Sequence, residues 1–489
     1  MIDPRRVIDS ALDAASVDET IVLVSEHSDA SLRWANDTMT TNGVSTSRST
    51  AVISIVRDSD STRVGSVETS EVDPDVIGAL VAASEEAARN APAARDAAPL
   101  IGESEESGSS GGSGGSARGS GGSGGSARGS GGSGGSARGS GSPEDWDAAV
   151  VGTGAKVFGA VAEALARGFK GPETLFGYAH HASVTTFVAN SLGLRRRFTQ
   201  PSGSVEINAK RDGASSWAGV GTPDFVDVPV EGLLEQLAVR LGWSERTVAL
   251  PAGRYPTLMP PSTVADMMIY MTWMMDGRGA QEGRTTFSAP GGGTRVGERL
   301  TQLPVTLYSD PFAKPLSCRP FVATSSSSDV VSVFDNGMDI GRVDWIRDGV
   351  LNALAYPRAA ASEFGVDAAV PAGNLLMTGG DASLDEMIAS SERALLLTTL
   401  WYIRTVDPTS LLLTGLTRDG VYLVEDGEVR AAVNNFRFNE SPLSLLRRAI
   451  EVGASEITLP REWGDYATRA AMPTLRIPDF YMSSVSQAQ

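Results

Sequence analysis

Four residues in this 489-residue chain could serve a soft or borderline metal ion: His27, His180, His181 and Cys318. A catalytic zinc takes three protein ligands and keeps an open position. His180 and His181 are adjacent, so on a strand they point to opposite faces and do not share an ion. There is no H-E-x-x-H, no C-x-x-C and no histidine repeated along one helical face. A carboxylate-only site for a hard cation has no signature either. Cys318 precedes Arg319, which would lower a thiol pKa, yet an ordinary half-buried thiol is the simpler reading. A serine–histidine pair meets only in the fold, and three histidines leave little to build one from. The Gly291–Gly297 stretch misses the dinucleotide fingerprint by one position and follows Ala289-Pro290 rather than a strand, so it reads as a mobile loop. No G-K-[ST] occurs, which excludes a phosphate loop of that kind.

Two further motifs are coincidences of composition. Residues Gly111–Ser140 are three copies of the decamer GGSGGSARGS. Within them Gly111-Gly112-Ser113-Gly114-Gly115 satisfies G-x-S-x-G, and Gly119–Gly124 satisfies G-x-G-x-x-G. Both chemistries need a strand before the motif and a helix after it. A tract with so little to bury is expected to be a flexible coil, natural or engineered.

The elements that would position any site fall on either side of this tract. The chain is too long for one core, and its 41% hydrophobic and 20% charged residues describe a globular protein. We read residues 1–102 as an N-terminal α+β region, 103–144 as a linker, 145–245 as a central α+β region completing the N-terminal half, and 246–489 as a β-rich C-terminal domain. Asp3 and Pro4 open a helix with Val7, Ile8, Ala11, Leu12 and Ala15 on one face. Strands are expected at Ile21–Ser25, Ser31–Asn36, Thr40–Thr46 and Ala51–Asp58, then a helix over about Pro74–Asn90. Beyond the tract come a helix at Ala155–Phe169, alternating segments at Leu175–Ala179, Val184–Asn190, Leu192–Thr199 and Ser204–Lys210, and a helix at Val230–Leu241. The alternation predicts a twisted antiparallel sheet. Asp426-Gly427 between Val421–Glu425 and Glu428–Val433 predicts a tight hairpin. Ser441 and Pro442 should open a helix carrying Leu443, Leu446 and Ile450, with Gly453 past its end.

Charge and composition exclude several classes. With 41 basic against 59 acidic residues, net −18, the body would be repelled by nucleic acid. The Arg195-Arg196-Arg197 cluster alternates with apolar residues and reads as a solvated strand edge. The longest nearly apolar runs, Met267–Met275 and Leu395–Ile403, are too short for a bilayer span. No apolar run follows the first arginines, and a single cysteine fits a reducing compartment, so we expect a cytoplasmic protein. A helix from Ser262 to Asp276, closed by Gly277, is greasy nearly all round, with Met267, Met268, Met271, Met274 and Met275 beside Ile269 and Trp273. Core packing accounts for such a helix; a flexible apolar groove for a peptide is the sharper reading.

Taken together, the C-terminal segments resemble the signature of the TldD/PmbA family. They are Leu395-Leu396-Leu397-Thr398-Thr399-Leu400-Trp401-Tyr402-Ile403-Arg404, Asp407-Pro408, the run Leu413–Glu428, Asn434–Asn439 and Met472–Ile477. Trp34–Val44 and Ala51–Val67 are similar, more loosely, to its N-terminal stretches. The resemblance implies an N-terminal α+β region with an antiparallel sheet and a larger β-rich C-terminal domain. It also implies peptidase work on unfolded or small peptides by two paired homologous subunits. The TldD-like subunit carries an HExxxH helix and a downstream cysteine that hold the metal; the PmbA- or TldE-like one lacks them. This chain departs from TldD at that place: Asp266-Met267-Met268-Ile269-Tyr270-Met271-Thr272-Trp273-Met274 has no histidine, and Leu459–Ala471 no cysteine. No metal ligand carries over.

The leading expectation is therefore a non-catalytic, PmbA/TldE-like subunit of a cytosolic heteromeric metallopeptidase. It would hold no cofactor itself, with zinc only in a TldD-like HExxxH partner, and would handle unstructured peptides without touching nucleic acid or membrane. Self-association is the alternative to the heteromer. A stand-alone peptide-binding scaffold and an active hydrolase with an unrecognised site are the competing readings. Met267, Met271, Met274, Gly291, Gly292 and Gly293 are the candidates for lining a peptide path.

Overall fold

A computed structural model describes residues 2–70, 76–102, 146–226 and 228–487. The glycine-serine tract expected as coil lies outside the described residues. The strands on either side of it join one sheet. In chain order the first half comprises α1 (Pro4–Ala14), β1 (Glu19–Ala35), β2 (Thr38–Arg57), β3 (Thr62–Thr69), α2 (Ile77–Asn90), α3 (Gly159–Gly168), β4 (Thr174–Asn190), β5 (Arg195–Arg211), β6 (Ala214–Gly221) and α4 (Val230–Trp243). The sheet order is β3-β2-β1-β4-β5-β6, antiparallel throughout.

Four expected short strands are two long ones here. No proline or glycine interrupts Ser25–Ser31, and Glu26, Ser28 and Ala30 continue the buried alternation of Val22 and Val24. Polar side chains at buried positions disguise this continuity. Glu26 is paired with the buried Arg48 of β2, whose Nε lies 2.6 Å away. The turn between β1 and β2 is Asn36-Asp37, both at positive φ (49° and 59°), which asparagine and aspartate tolerate. On the far side, the expected segments between Leu175 and Lys210 likewise merge into β4 and β5. The Arg195–Arg197 cluster sits on the part of β5 that β6 does not reach, with Arg196 bonded to Asp339 at 2.9 Å.

Helices cover one face of this sheet. α1 and α2 lay Val7, Ile8, Leu80 and Val81 on Val22, Val24, Val52 and Phe187. A 3-10 turn at Ala155–Phe158 leads into α3, which with α4 packs on Leu32, Trp34, Val205 and Ile207. On the other face, Ile21, Leu23 and Ile53 are buried by residues 98–101, Phe321 and Phe334. Ser25, His27, Asp29 and Ser31 on that face stay half-buried, and Arg33 is exposed.

The second half is a larger mixed sheet. Its long closing strand, Ala470–Val485, pairs antiparallel with β8 (Gly253–Met259), which comes after the two-residue β7 (Thr247–Val248). β8 in turn pairs parallel with Arg393–Leu397. The Val421–Glu425 and Glu428–Val433 hairpin forms as the sequence predicts, with Asp426 and Gly427 at φ 51° and 79°. The Ser441 helix is shorter than expected, Pro442–Arg448. Ser441 bonds the Ser410 carbonyl instead of capping; Ile450 lies past the helix end, and Gly453 sits within the strand Glu451–Thr458. Within the main core lies α5 (Pro261–Trp273). Among the described residues no helix is long and apolar enough to cross a membrane.

Candidate functional site

α5 starts at Pro261, whose fixed φ suits a first helical position. Ser262 does not cap it; its hydroxyl donates to the Leu459 carbonyl at 2.8 Å. The helix ends at Trp273, and Asp276 instead caps the short helix Gly277–Gln281, accepting from the Gly279 amide at 3.0 Å. Met267 and Met271 are 0% exposed and belong to the core. Neither lines an open path in this structure, because the strands of the large sheet and the loops around them enclose the helix on nearly all sides. Met274, just past its end, is half-buried and does face a cleft. Gly291, Gly292 and Gly293 all have positive φ and form a tight turn closed by the Ala289 amide on the Gly293 carbonyl at 2.9 Å. They contribute to neither cleft beside α5.

Two clefts flank the end of α5 and share Trp273. The first, of about 410 Å³, is walled by Thr272, Trp273 and Met275, by Gln200 from β5, and by Gly373, Asn374, Tyr466 and Arg469. Asn374 is fixed by the Asp310 amide (2.9 Å) and the Leu316 carbonyl (2.8 Å), and the buried Arg469 by Ser202 Oγ at 2.7 Å and the Ser317 carbonyl at 3.0 Å. Its polar groups are thus held in place before any ligand arrives.

The second cleft, about 660 Å³, is aromatic: Tyr270, Trp273, Trp401, Tyr402 and Trp463, with Met274 and Glu462. Trp273 and Trp463 meet edge to face at 4.7 Å between centroids. The pairing of strands Leu400–Asp407 and Leu412–Thr417 slips between Trp401 and Arg404, and Tyr402 there has φ 55°. Glu462 holds this bulge, accepting from the Tyr402 amide at 2.8 Å, the Ile403 amide at 3.1 Å and Arg404 Nη1 at 3.0 Å. Strain of about 1–3 kcal/mol at a bulky residue persists only where surrounding bonds over-determine it. The outcome is a Tyr402 side chain displayed to solvent.

Glu462 also links the clefts to α5, since its amide donates to Asp266 Oδ1 at 3.1 Å. Asp266 is fully buried, and desolvation pushes its carboxyl well above the usual range although backbone amides oppose the shift. Burial likewise raises the Tyr270 hydroxyl, which donates to the Ile403 carbonyl at 2.7 Å. Arg461 lies between the Trp217 and Trp401 rings, 5.5 and 5.3 Å from their centroids, and pairs with Asp419 at 2.7 Å.

The donors among the described residues do not fit a zinc ion. Among the described residues no three His, Cys, Asp or Glu side chains come together. His180 and His181 do face opposite sides of β4. His180 Nε2 lies 3.3 Å from Asp29, whereas His181 bonds Thr153 Oγ1 at 2.7 Å and the Pro223 carbonyl at 2.9 Å. Cys318 is buried, and burial raises its thiol despite the nearby Gly373 amide and Arg469. Asp266 is the only acid on α5; its Oδ1 accepts from the Glu462 amide, and its buried Oδ2 has no hydrogen-bond partner among the described residues.

A six-stranded antiparallel sheet backed by helices, joined to a larger sheet wrapped round a buried helix, has known counterparts. TldE from Thermococcus kodakarensis superposes with a TM-score of 0.72 at 16% identity, over 98% of this chain and 99% of that one. A candidate modulator of a DNA gyrase from Thermotoga maritima MSB8 does so at 0.70 and 15%, over 98% and 99%. Likeness at this identity shows a shared fold. Residues 252–484 match the model of the PmbA/TldA metallopeptidase C-terminal domain. The C-terminal domain, residues 252–484, belongs to the TldD/PmbA family, and the whole chain has the fold of TldE. No curated protein matches it.

Proposed function

We propose that this chain is the non-catalytic, peptide-binding subunit of a cytosolic heteromeric peptidase of the TldD type. An HExxxH-bearing homologue would supply the zinc and the bond cleavage. The observation that carries the reading is α5. Where the family's catalytic subunit has histidines, this helix buries Met267 and Met271 in the core and commits its one acid, Asp266, to the Glu462 amide. The likeness to TldE supports it. So do the two clefts at the end of α5, whose aromatic rings and pre-fixed polar groups suit apolar side chains of a peptide. Folded proteins would be refused, since their side chains are already buried and their strands paired. The test is reconstitution: this chain, the HExxxH homologue and the mixture are each given a fluorogenic unstructured peptide with zinc present. The chain alone should be inert and the mixture at least tenfold faster than the homologue alone. Equal rates for homologue and mixture would remove the subunit role.

A further inference from the structure

A separate surface on the six-stranded sheet has the anatomy of a strand acceptor. β2 pairs with β1 along its length, but β3 covers its other edge only from Thr50 to Arg57. Among the described residues no strand pairs with the outer edge from Thr38 to Ser49. The stretch Thr38–Ser47 is exposed at every position except the half-buried Gly43. At roughly 3.4 Å per residue it offers an edge some 30 Å long. Such edges are ordinarily blunted by charge, proline, a bulge or brevity. This one has no charged residue and no proline, in a chain of net charge −18. The pairing irregularity of the β1–β2 ladder falls at Arg33/Trp34, next to the hairpin, and leaves Thr41–Ser47 regular.

Beside the edge, on the face the helices leave open, lies a pocket of about 400 Å³. Its wall includes Gly43 and Ser45 of β2, Asp29 and Ser31 of β1, and Tyr178 and His180 of β4. It shares no residue with the clefts at α5. The Asp29 side chain is 33% exposed, with one oxygen 3.3 Å from His180 Nε2 and the other left to a ligand, and His180 stacks on Tyr178 at 6.0 Å. An open edge gives main-chain hydrogen bonds of little sequence preference, and a pocket beside it reads one side chain of the added strand. We propose that Thr38–Ser47 takes an extended peptide as a seventh strand of the sheet, with a lysine or arginine of that peptide in the pocket against Asp29. The net negative charge of the chain favours a basic peptide as well. Arg33, on the same face and 4.9 Å from the Tyr178 ring, opposes a second basic side chain beyond the pocket. The proposal rests on the peptide-binding reading above only for its class of ligand.

The test uses the full chain and a fluorescent Ser/Thr/Val nonapeptide with a central lysine, read by anisotropy. Binding should saturate and weaken about tenfold on changing the central lysine to glutamate, and about tenfold in Asp29→Asn, the loss of one charge-assisted bond. Val44→Lys should weaken it too, by setting a charge on the edge, with circular dichroism confirming the fold. Two peptides N-methylated on alternate amides of opposite parity separate strand addition from side-chain capture: one should bind and the other fail. No saturable binding, unchanged binding in both variants, or binding of both methylated peptides would each overturn the proposal. Because no partner enzyme is present, failure here is distinct from failure of reconstitution.

Discussion

Truncating Met271 distinguishes a core helix from a peptide path. Its side chain is wholly buried in the main core with Met267, Leu395, Phe438 and Phe480. Met271→Ala removes three heavy atoms. At ~0.8 kcal/mol per methylene-sized group the transfer loss is ~2.4 kcal/mol, and an unrelaxed cavity brings the cost to ~3–4 kcal/mol. Met274 is half-buried at the aromatic cleft, so Met274→Ala should cost no more than ~1 kcal/mol. Urea unfolding followed by tryptophan fluorescence gives both values, and anisotropy with an apolar peptide gives the binding side. Met271→Ala should lower the unfolding midpoint and still bind under native conditions. Met274→Ala should unfold like the parent and bind more weakly. If Met271→Ala stayed within ~0.5 kcal/mol of the parent while binding was lost, Met271 would line the path and the core assignment would be wrong.

Two further outcomes concern the network beneath the clefts. Asp266 has a folded pKa well above its ordinary value, chiefly through desolvation, so its contribution is intact below about pH 4 and is lost as pH rises through the folded value. Asp266→Asn should therefore lose less thermal stability than the parent between pH 4 and pH 8; parallel curves would contradict the burial argument. Glu462→Ala unpairs two backbone amides at the Tyr402 bulge and should open that segment by ~3 kcal/mol in hydrogen exchange, most of it from the amide bonds, because Arg404 is 55% exposed. Glu462→Gln keeps one acceptor for the two amides and should lose about half as much, and equal losses would show that charge rather than amide capture holds the bulge.

Much of the fold was written in local patterns. Asp426-Gly427 supplies the two positive φ values a two-residue hairpin requires, and the turn forms between the expected strands. The helices at Pro4–Ala14 and Val230–Trp243 follow their apolar faces. The long strands were harder to read because their buried positions are not all apolar. Glu26 and Arg48 satisfy each other inside the sheet, and Ser54 and Ser84 do so at 2.7 Å between strand and helix. Composition sees polar breaks where pairing sees continuity. α5 ends at Trp273 rather than at the expected Asp276 for a related reason. Asp276-Gly277 looks like a stop after a helix, yet Asp276 caps a new one, and only the Gly279 amide on its carboxylate reveals the direction.

The clefts were far less legible, and the difference is one of range. A methionine-rich helix is visible in sequence, but whether its side chains meet solvent or neighbours depends on strands more than a hundred residues away. Gln200, Trp273, Asn374, Trp401, Glu462 and Tyr466 share no spacing that could announce a common site. Tyr402 sits within a segment that carries the family resemblance, yet its positive φ is held by a Glu462 carboxylate that reaches back to two amides from sixty residues on. That arrangement ties the turn at 461–463 to the strand bulge on one side and to α5 on the other. The frame depends on the buried helix filling its groove and on the 461–463 segment being tied to it, here through Asp266 and the Glu462 amide. Neither requirement needs a metal. Here Met267 and Met271 fill the groove, and the buried Asp266 anchors the turn that shapes the clefts.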